Sequence, residues 1–236
     1  PIGELLNCPP LKDNPTNSLV YDGDSLNHAY ISMDNGIAEV YHITTDIGIE
    51  LKATYNKDVD STEVFNYIYA ILYSKKFREK YAEFLKINYP KIPFTSDYKL
   101  FSKLAELGRK LVAIHFLTFT SEEEKKIGYP IDGTNVVKEI RYDKQNHRIY
   151  INKEQFFQGI FDEEWNFFIG GHQVLNLWLK EKKGKKLSLE DIYYFIRIIA
   201  AIKETIKIMR ELDDLYDDIE KNTIPKRISK KLTHYC

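Results

Sequence analysis

Amide and basic side chains concentrate between residues 150 and 186, and their chemistry suits contact with nucleic acid. Asparagine and glutamine amides can bond two neighbouring atoms on a base edge, while lysine ammonium groups hold phosphates. These side chains are therefore candidates for contact with base edges and phosphates. The candidate residues are Asn152, Lys153, Gln155, Asn166, His172, Gln173, Lys180, Lys182, Lys183, Lys185 and Lys186.

Each candidate also has an ordinary structural explanation. A solvated surface explains any single lysine near Gly184 as well as DNA contact does. The Gly170-Gly171 pair favours a tight turn between two helices over a close approach to phosphate. The aromatic side chains among the amides favour core packing over base stacking, and they are Trp165, Phe167, Phe168 and Trp178. Weaker candidates for DNA contact are Arg78, Lys91 and Arg141.

No motif for catalysis or cofactor binding stands out. An adenine methyltransferase needs an Asn/Asp-Pro-Pro-aromatic motif, and Asn7-Cys8-Pro9-Pro10 is a poor copy because a cysteine intervenes. No Gly-x-x-x-x-Gly-Lys-Ser/Thr loop is present to hold nucleotide phosphates. The run Asp162 to Glu164 suits the start of a helix better than a nuclease centre. Two cysteines and six histidines without ligand spacing predict no metal site.

Charge is divided unevenly along the chain. The total is −1, but the first 60 residues carry three lysines against ten acids, which leaves +6 on residues 61–236. That excess permits a basic face on the larger part. No run of eighteen apolar residues could span a membrane, so we expect a cytoplasmic protein. The start at Pro1 predicts a fragment of a longer chain.

The candidates must be positioned by an α+β fold. Residues 1–60 are predicted to be rich in strands and loops, with turns at Asn14-Pro15, Asp22-Gly23 and Asn35-Gly36. Residues 61–236 are predicted to form a mainly helical domain with a small hairpin. We therefore expect antiparallel strands near the N-terminus and around 136–152, with helices elsewhere.

Helical spacing begins after Asp60, which with Glu63 fits a capping box. A long C-terminal helix is predicted to start near Ser188, because Ser188 lies three residues before Asp191 and suits an N-cap. Shorter helices are expected over residues 75–86, 97–116, 162–168 and 173–182. The strand pattern of 136–152 turns at Gln145-Asn146.

Two segments resemble the C-terminal specificity region of type ISP restriction-modification enzymes. The first combines an Asn152-Lys153 turn with WNFFIGG, Trp165 to Gly171, and WLKEKKGKKLSLED, Trp178 to Asp191. The second is Val64 to Phe94, similar to the family's F-N-Y-I-Y-A-x-L-H-S … P-R-I-P-F. This chain has Tyr73 where that pattern has His, and Lys91 where it has Arg.

The resemblance implies a DNA target-recognition module without catalysis of its own, whose partners are double-stranded DNA and the methyltransferase and helicase domains of one parent chain. It implies no cofactor in this segment, and S-adenosylmethionine, ATP and Mg in the parent. Two alternatives remain open. The helices could be a scaffold that couples the methyltransferase to the translocase, or the chain could be an unrelated enzyme with a deep pocket.

Overall fold

The structure is a computed structural model that describes residues 45–86 and 91–224, with side chains from residue 47, and the backbone of three strands nearer the N-terminus. These strands form one sheet in the order β1-β2-β3, with β1 Ser18–Val20, β2 His28–Asp34 and β3 Ile37–Tyr41. The three turns predicted before residue 45 lie outside the described residues. The antiparallel arrangement expected for this segment therefore stays a prediction.

The rest of the described chain is mostly helical, with small antiparallel sheets in mid-chain and a long C-terminal helix. This confirms the coarse fold class. The helices are α1 Thr45–Tyr55, α2 Ser61–Tyr73, α3 Lys75–Lys80, α4 Ala82–Leu85, α5 Tyr98–His115, α6 Asp162–Trp165, α7 Val174–Glu181 and α8 Leu189–Lys221. The strands are β4 Arg141–Asp143, β5 Arg148–Tyr150, β6 Phe156–Gln158, β7 Phe168–Ile169 and β8 His172–Gln173. Helix α1 was not foreseen, because residues 45–55 lack a clear apolar face.

The chain divides into two compact units. The described part of the first, here called the helical unit, comprises residues 45–86, 91–109 and 211–224. The described residues 110–210 belong to the second, here called the mixed unit. Both α5 and α8 contribute residues to each unit.

The helical unit is built around the buried face of α2. Its capping box is confirmed, since Asp60 Oδ1 accepts from the Glu63 amide at 2.8 Å and the Glu63 carboxylate accepts from the Asp60 amide at 3.2 Å. Tyr67 is fully buried and donates its hydroxyl to the Pro93 carbonyl at 2.6 Å. Gly108 permits close helix packing, because a Cβ there would lie 1.8 Å from the Asn66 carbonyl oxygen.

The mixed unit packs helices against one face of the sheet β4-β5-β6. Ile149 of β5 and Phe157 of β6 are both fully buried. The rings of Phe157 and of Phe195 in α8 pack edge to face, with their centroids 4.7 Å apart. Strand β6 had not been predicted, because its Phe156-Phe157 pair shows no alternation that would separate a strand from a buried turn.

Gly170 and Gly171 form the turn of a short β-hairpin, which corrects the expected helix-to-helix turn. Ile169 pairs with His172 across the turn, and both glycines have positive φ angles of 56° and 80°. Glycine adopts this backbone region without a Cβ penalty. The predicted helix 162–168 therefore ends early, at Trp165.

Helix α8 runs for 33 residues and starts where the sequence predicted. The Ser188 hydroxyl accepts from the Asp191 amide at 3.1 Å, and the Asp191 carboxylate accepts from the Ser188 amide at 3.0 Å. The apolar positions from Ile192 to Leu212 do not form an exposed stripe, since these two residues are 7% and 1% exposed and Ile199 is fully buried. The helix is thus largely a core element of its own chain.

Candidate functional site

The turn after β5 is fixed by two buried amides. Asn152 Oδ1 accepts from the backbone amides of Glu154 at 3.0 Å and Gln155 at 2.7 Å. Its Nδ2 donates to the Val136 carbonyl at 3.2 Å and to Gln155 Oε1 at 3.0 Å. Asn152 is 8% exposed and Gln155 is 1% exposed. Both of these predicted base readers are therefore engaged inside the protein.

Gln155 also holds the loop of residues 131–135. Its Nε2 donates to the Ile131 carbonyl at 3.0 Å and to Asn135 Oδ1 at 2.6 Å, while its Oε1 accepts from the Asn135 amide at 2.7 Å. Gly133 leaves room for this crossing, because a Cβ there would lie 2.9 Å from the Gln155 carboxamide carbon. The Tyr129 hydroxyl donates to Asn135 Oδ1 at 3.1 Å, and burial raises the pKa of Tyr129 to about 12, so it remains a donor.

The same segment anchors the lysine turn, which we define as residues 182–187. The Val137 amide donates to the Lys185 carbonyl at 3.0 Å, and the Gly184 amide donates to the Val137 carbonyl at 2.8 Å. The Leu187 amide donates to the Asn135 carbonyl at 2.8 Å. Gly184 has a φ of 80°, which suits the turn. The 152–155 turn and the lysine turn, 30 positions apart in sequence, thus share one supporting strand-like segment.

Exposed lysines sit on both turns. Lys153 is exposed in the first turn, and none of the exposed lysines here forms an ion pair with any residue that the structure describes. The exposed lysines of the second turn and the helix before it are Lys180, Lys183, Lys185 and Lys186. Such cations keep their full charge available for a phosphate backbone.

Lys182 differs from its neighbours because it serves the fold. Its ammonium group lies 2.7 Å from the Asp191 carboxylate and 5.2 Å from the centroid of the Trp178 ring. The hydrogen bond from Lys182 holds the pKa of Asp191 below its usual range. Lys182 therefore ties the lysine turn to the first turn of α8.

Asn166, His172 and Gln173 form a separate group around the β7-β8 hairpin. Asn166 and His172 are exposed, and no described hydrogen bond joins this group to the 152–155 turn. Gln173 Nε2 donates to the Trp165 carbonyl at 2.7 Å, and its Oε1 accepts from Asn176 at 3.0 Å. Gln173 therefore closes the hairpin onto α6, while the other two side chains face solvent.

The two tryptophans pack against the core, as their sequence context predicted. Trp165 stacks on Tyr142 at a centroid distance of 5.1 Å, and Trp178 stacks on Phe195 at 4.7 Å. Phe168 is the exception among the aromatic anchors, because it is 57% exposed.

Two arginines on the sheet were not among the main candidates for DNA contact in the sequence. Arg141, a weak candidate, lies with its guanidinium carbon 4.0 Å from the centroid of the Tyr150 ring. Arg148 had not been singled out, and its guanidinium carbon lies 4.3 Å from the Phe156 ring. The signal that could have found them is the alternation of Arg and Tyr in Arg148-Ile-Tyr150, which places both side chains on one face.

Two kinds of feature, a group of metal ligands and a membrane-spanning helix, are absent from the described part of the chain. Among residues 47–86 and 91–224 no three His, Cys, Asp or Glu side chains are grouped as metal ligands. Within the same ranges no helix combines the length and the apolarity that crossing a membrane requires.

Three solved structures share the fold of this chain. The first is a nuclease-deletion mutant of the type ISP restriction-modification enzyme LlaGI in complex with a DNA substrate mimic, with a TM-score of 0.51 and 20% identity over 66% of this chain. The second is the ATP-dependent type ISP restriction-modification enzyme LlaBIII bound to DNA, with a TM-score of 0.54 and 16% identity over 78% of this chain. The third is a DrdV–DNA complex, with a TM-score of 0.57 and 19% identity over 77% of this chain. The chain spans only 14%, 13% and 21% of those chains, respectively.

Sequence comparison identifies the family. No curated protein matches the chain. Residues 18–211, which include both turns, the β7-β8 hairpin and most of α8, match the family described as the type ISP C-terminal specificity domain. That match covers far more than half of the chain, and it agrees with the two segments that carried the resemblance in the sequence. The chain belongs to the type ISP C-terminal specificity domain family.

Proposed function

We propose that this chain recognises a DNA target sequence for a larger restriction-modification enzyme and turns nothing over itself. The observation that carries the proposal is the pair of turns at 152–155 and 182–187, whose exposed lysines lack ion-pair partners among the described residues while their backbones share one support. Solved relatives that are described as bound to DNA also support a DNA-binding role.

The roles of the candidate side chains differ within this proposal. Lys153, Lys180, Lys183, Lys185 and Lys186 contact phosphates, because lysine acts as a point charge that needs no fixed orientation. Asn166 and His172 are exposed and remain candidates for base edges. Asn152, Gln155, Gln173 and Lys182 act as positioning residues, because their polar atoms already bind the protein.

The small share of its relatives that this chain spans supports a place within a larger enzyme. The DNA methyltransferase and helicase domains would belong to the same parent chain, with S-adenosylmethionine, ATP and Mg bound there. A cytoplasmic location follows from the same proposal, since the parent acts on intracellular DNA.

Binding of duplex DNA by the 236-residue chain tests the proposal. Fluorescence anisotropy with a labelled duplex at low salt should give saturable binding, and the logarithm of the affinity should fall linearly with the logarithm of salt concentration. A folded chain that leaves the duplex free at tens of micromolar protein would contradict it.

A docking role within the parent chain is a second candidate. Leu189 and Tyr193, one turn apart at the start of α8, are 72% and 68% exposed, and Tyr194 is 49% exposed. Contiguous exposed apolar side chains mark interaction surfaces. Substituting Leu189 and Tyr193 with serine would separate the roles, because loss of association with the rest of the parent chain at unchanged DNA affinity would indicate docking.

A further inference from the structure

One face of the sheet β4-β5-β6 carries a ladder of alternating arginines and aromatic rings. The strand register places Arg141, Tyr150 and Phe156 side by side. Arg141 covers the Tyr150 ring at 4.0 Å, Arg148 covers the Phe156 ring at 4.3 Å, and the two ring centroids are 5.2 Å apart. We call these four residues the arginine ladder.

The ladder occupies the face of the sheet that is opposite the core. Ile149 and Phe157, which alternate with ladder residues along β5 and β6, are fully buried on the core face. Arg141 is exposed, and Arg148 and Tyr150 are half-buried. Arg141 therefore lies at a surface that a large ligand can reach, and Arg148 is exposed in part, although its Nε is buried.

No acid forms an ion pair with the ladder within the described residues, although hydrogen bonds from Asn146 and, to a smaller extent, the charge of Arg141 lower the pKa of Asp143. Asp143 is the cross-strand neighbour of Arg148, but its two carboxylate oxygens accept from the Asn146 backbone amide at 3.2 Å and the Asn146 side chain at 2.9 Å. Neither arginine forms an ion pair or hydrogen bond with a described residue, and the Arg148 Nε is buried without a partner. The N–H groups of the two guanidinium groups therefore have no acceptor among the described residues.

Stacking on a ring uses the face of a guanidinium group and leaves its edge free. The edge carries the N–H donors that form two parallel bonds to O6 and N7 of guanine. A phosphate does not require a fixed donor plane, and the lysines supply that contact. A coplanar base edge does require it, and a side chain already held in orientation loses less entropy on binding.

We propose that the arginine ladder reads guanine in the major groove of the target, with Arg141 and Arg148 as base-contacting residues. This inference rests on the proposed function and assigns it a specificity determinant. The β4-β5 hairpin fits such a role, because a β-ribbon can enter the major groove.

Selection from a randomised duplex library tests the proposal with the 236-residue chain and its R141K and R148K variants. Lysine keeps the charge but loses the fork and the stacking geometry. The unsubstituted chain should select guanine at defined positions, and each variant should lose that preference at one position by about 10-fold, with the salt dependence unchanged. The matched control is R109K, since Arg109 is exposed and already bonded to Glu106.

A change on the DNA side tests the same contact without altering the protein. Replacing the selected guanine by 7-deazaguanine removes only the N7 acceptor. It should lower the affinity of the unsubstituted chain several-fold and have little effect on the matching arginine variant. Thermal unfolding of each variant verifies that it is folded.

The outcomes separate this inference from the proposed function. If the chain binds with a base preference, and neither the two variants nor 7-deazaguanine changes that preference, the base-reading role of the arginine ladder is overturned and the proposed function stands. A uniform loss of affinity with a shallower salt dependence assigns the arginines to phosphates and also overturns it. A folded chain that binds no duplex at low salt overturns both.

Discussion

Gln155 and Asn135 exchange two hydrogen bonds between segments that are 20 residues apart. The Gln155 carboxamide accepts from the Asn135 backbone amide at 2.7 Å and donates to the Asn135 side-chain oxygen at 2.6 Å. Asn135 in turn accepts from the Leu187 amide at the end of the lysine turn. One buried carboxamide therefore supports the loop beneath two lysine-bearing turns.

Replacing Gln155 by alanine should lower the free energy of unfolding by roughly 2–4 kcal/mol, because it removes four hydrogen bonds that the buried carboxamide forms with Ile131, Asn135 and Asn152. Urea denaturation followed by tryptophan fluorescence measures this change. Lys153→Ala in the same turn is the control and should stay within about 0.5 kcal/mol of the unsubstituted chain, because Lys153 is exposed. Equal stability of the two variants would show that the carboxamide does not support the turn.

Removing Lys183, Lys185 and Lys186 together should weaken DNA binding and flatten its salt dependence. The slope of log affinity against log salt should become shallower by about 0.9 for each lysine that contacts a phosphate. Anisotropy titrations at several salt concentrations give this slope. The Lys125→Ala control should leave it unchanged, because Lys125 is exposed and paired with Glu122 at 2.7 Å. An unaltered slope in the triple variant would place the DNA elsewhere.

The mixed unit should lose stability on mild acidification through His115. Burial lowers the pKa of His115 from 6.5 to about 4, and its Nε2 lies 3.2 Å from the Thr205 hydroxyl. The unfolded chain then binds the proton first, so the contribution is complete above pH 6.5 and is lost as pH falls from 6.5 towards 4. The free energy of unfolding should drop by about 2 kcal/mol between pH 7 and pH 5.

Denaturation curves at pH 7 and pH 5 for His115→Gln and for the exposed-histidine control His172→Gln check the assignment. The first variant should lose most of the pH dependence in this window, and the control should retain it. Glu123 does not interfere, because hydrogen bonds from Lys126 and Lys207 lower its pKa to about 2, and its contribution is lost only below about pH 4.5. A steep dependence that persists in His115→Gln would rule out this histidine as its source.

The buried pair Lys203–Glu164 should show strong coupling. The two side chains are 6% and 9% exposed and 3.2 Å apart, and Glu164 also accepts from the Phe161 amide at 2.5 Å. Lys203→Met should cost roughly 3–5 kcal/mol, because it leaves a buried carboxylate without its partner. Adding Glu164→Gln should restore much of that loss, since the amide is neutral and its oxygen can still accept from Phe161. Additive losses measured by urea denaturation would contradict this coupling.

Local signals along the chain predicted most helices correctly. The capping pairs Asp60/Glu63 and Ser188/Asp191 fix the starts of α2 and α8, because both partners of each pair lie within one helical turn. Helix α5 also lies within one residue of its expected bounds at each end. The expected helix over 75–86 is interrupted at Tyr81, whose ψ of 16° separates α3 from α4.

The candidate site was harder to predict because its geometry depends on residues far apart in sequence. Asn152 and Gln155 have the side chains that read adenine, and only their bonds to residues 131–136 show that they support a turn instead. The alternation of Arg148 and Tyr150 in the sequence predicts their shared face, but the contact of Arg148 with the Phe156 ring on the next strand depends on strand register, which is not visible in one sequence. The exposure of the lysines near Gly184 was predictable, because a cluster of charged side chains favours a solvated surface.

The hydrogen-bonded frame of Asn135, Asn152 and Gln155, of which the last two are buried, also bears on how the lysine surface can evolve. None of the exposed lysines contributes a side chain to that frame, so substitutions at Lys153, Lys185 or Lys186 leave its hydrogen bonds in place. Exposed substitutions change stability little. Related chains can therefore gain or lose these surface charges one residue at a time, and under the proposed function retune their affinity for a phosphate backbone, without first acquiring a compensating change in the interior.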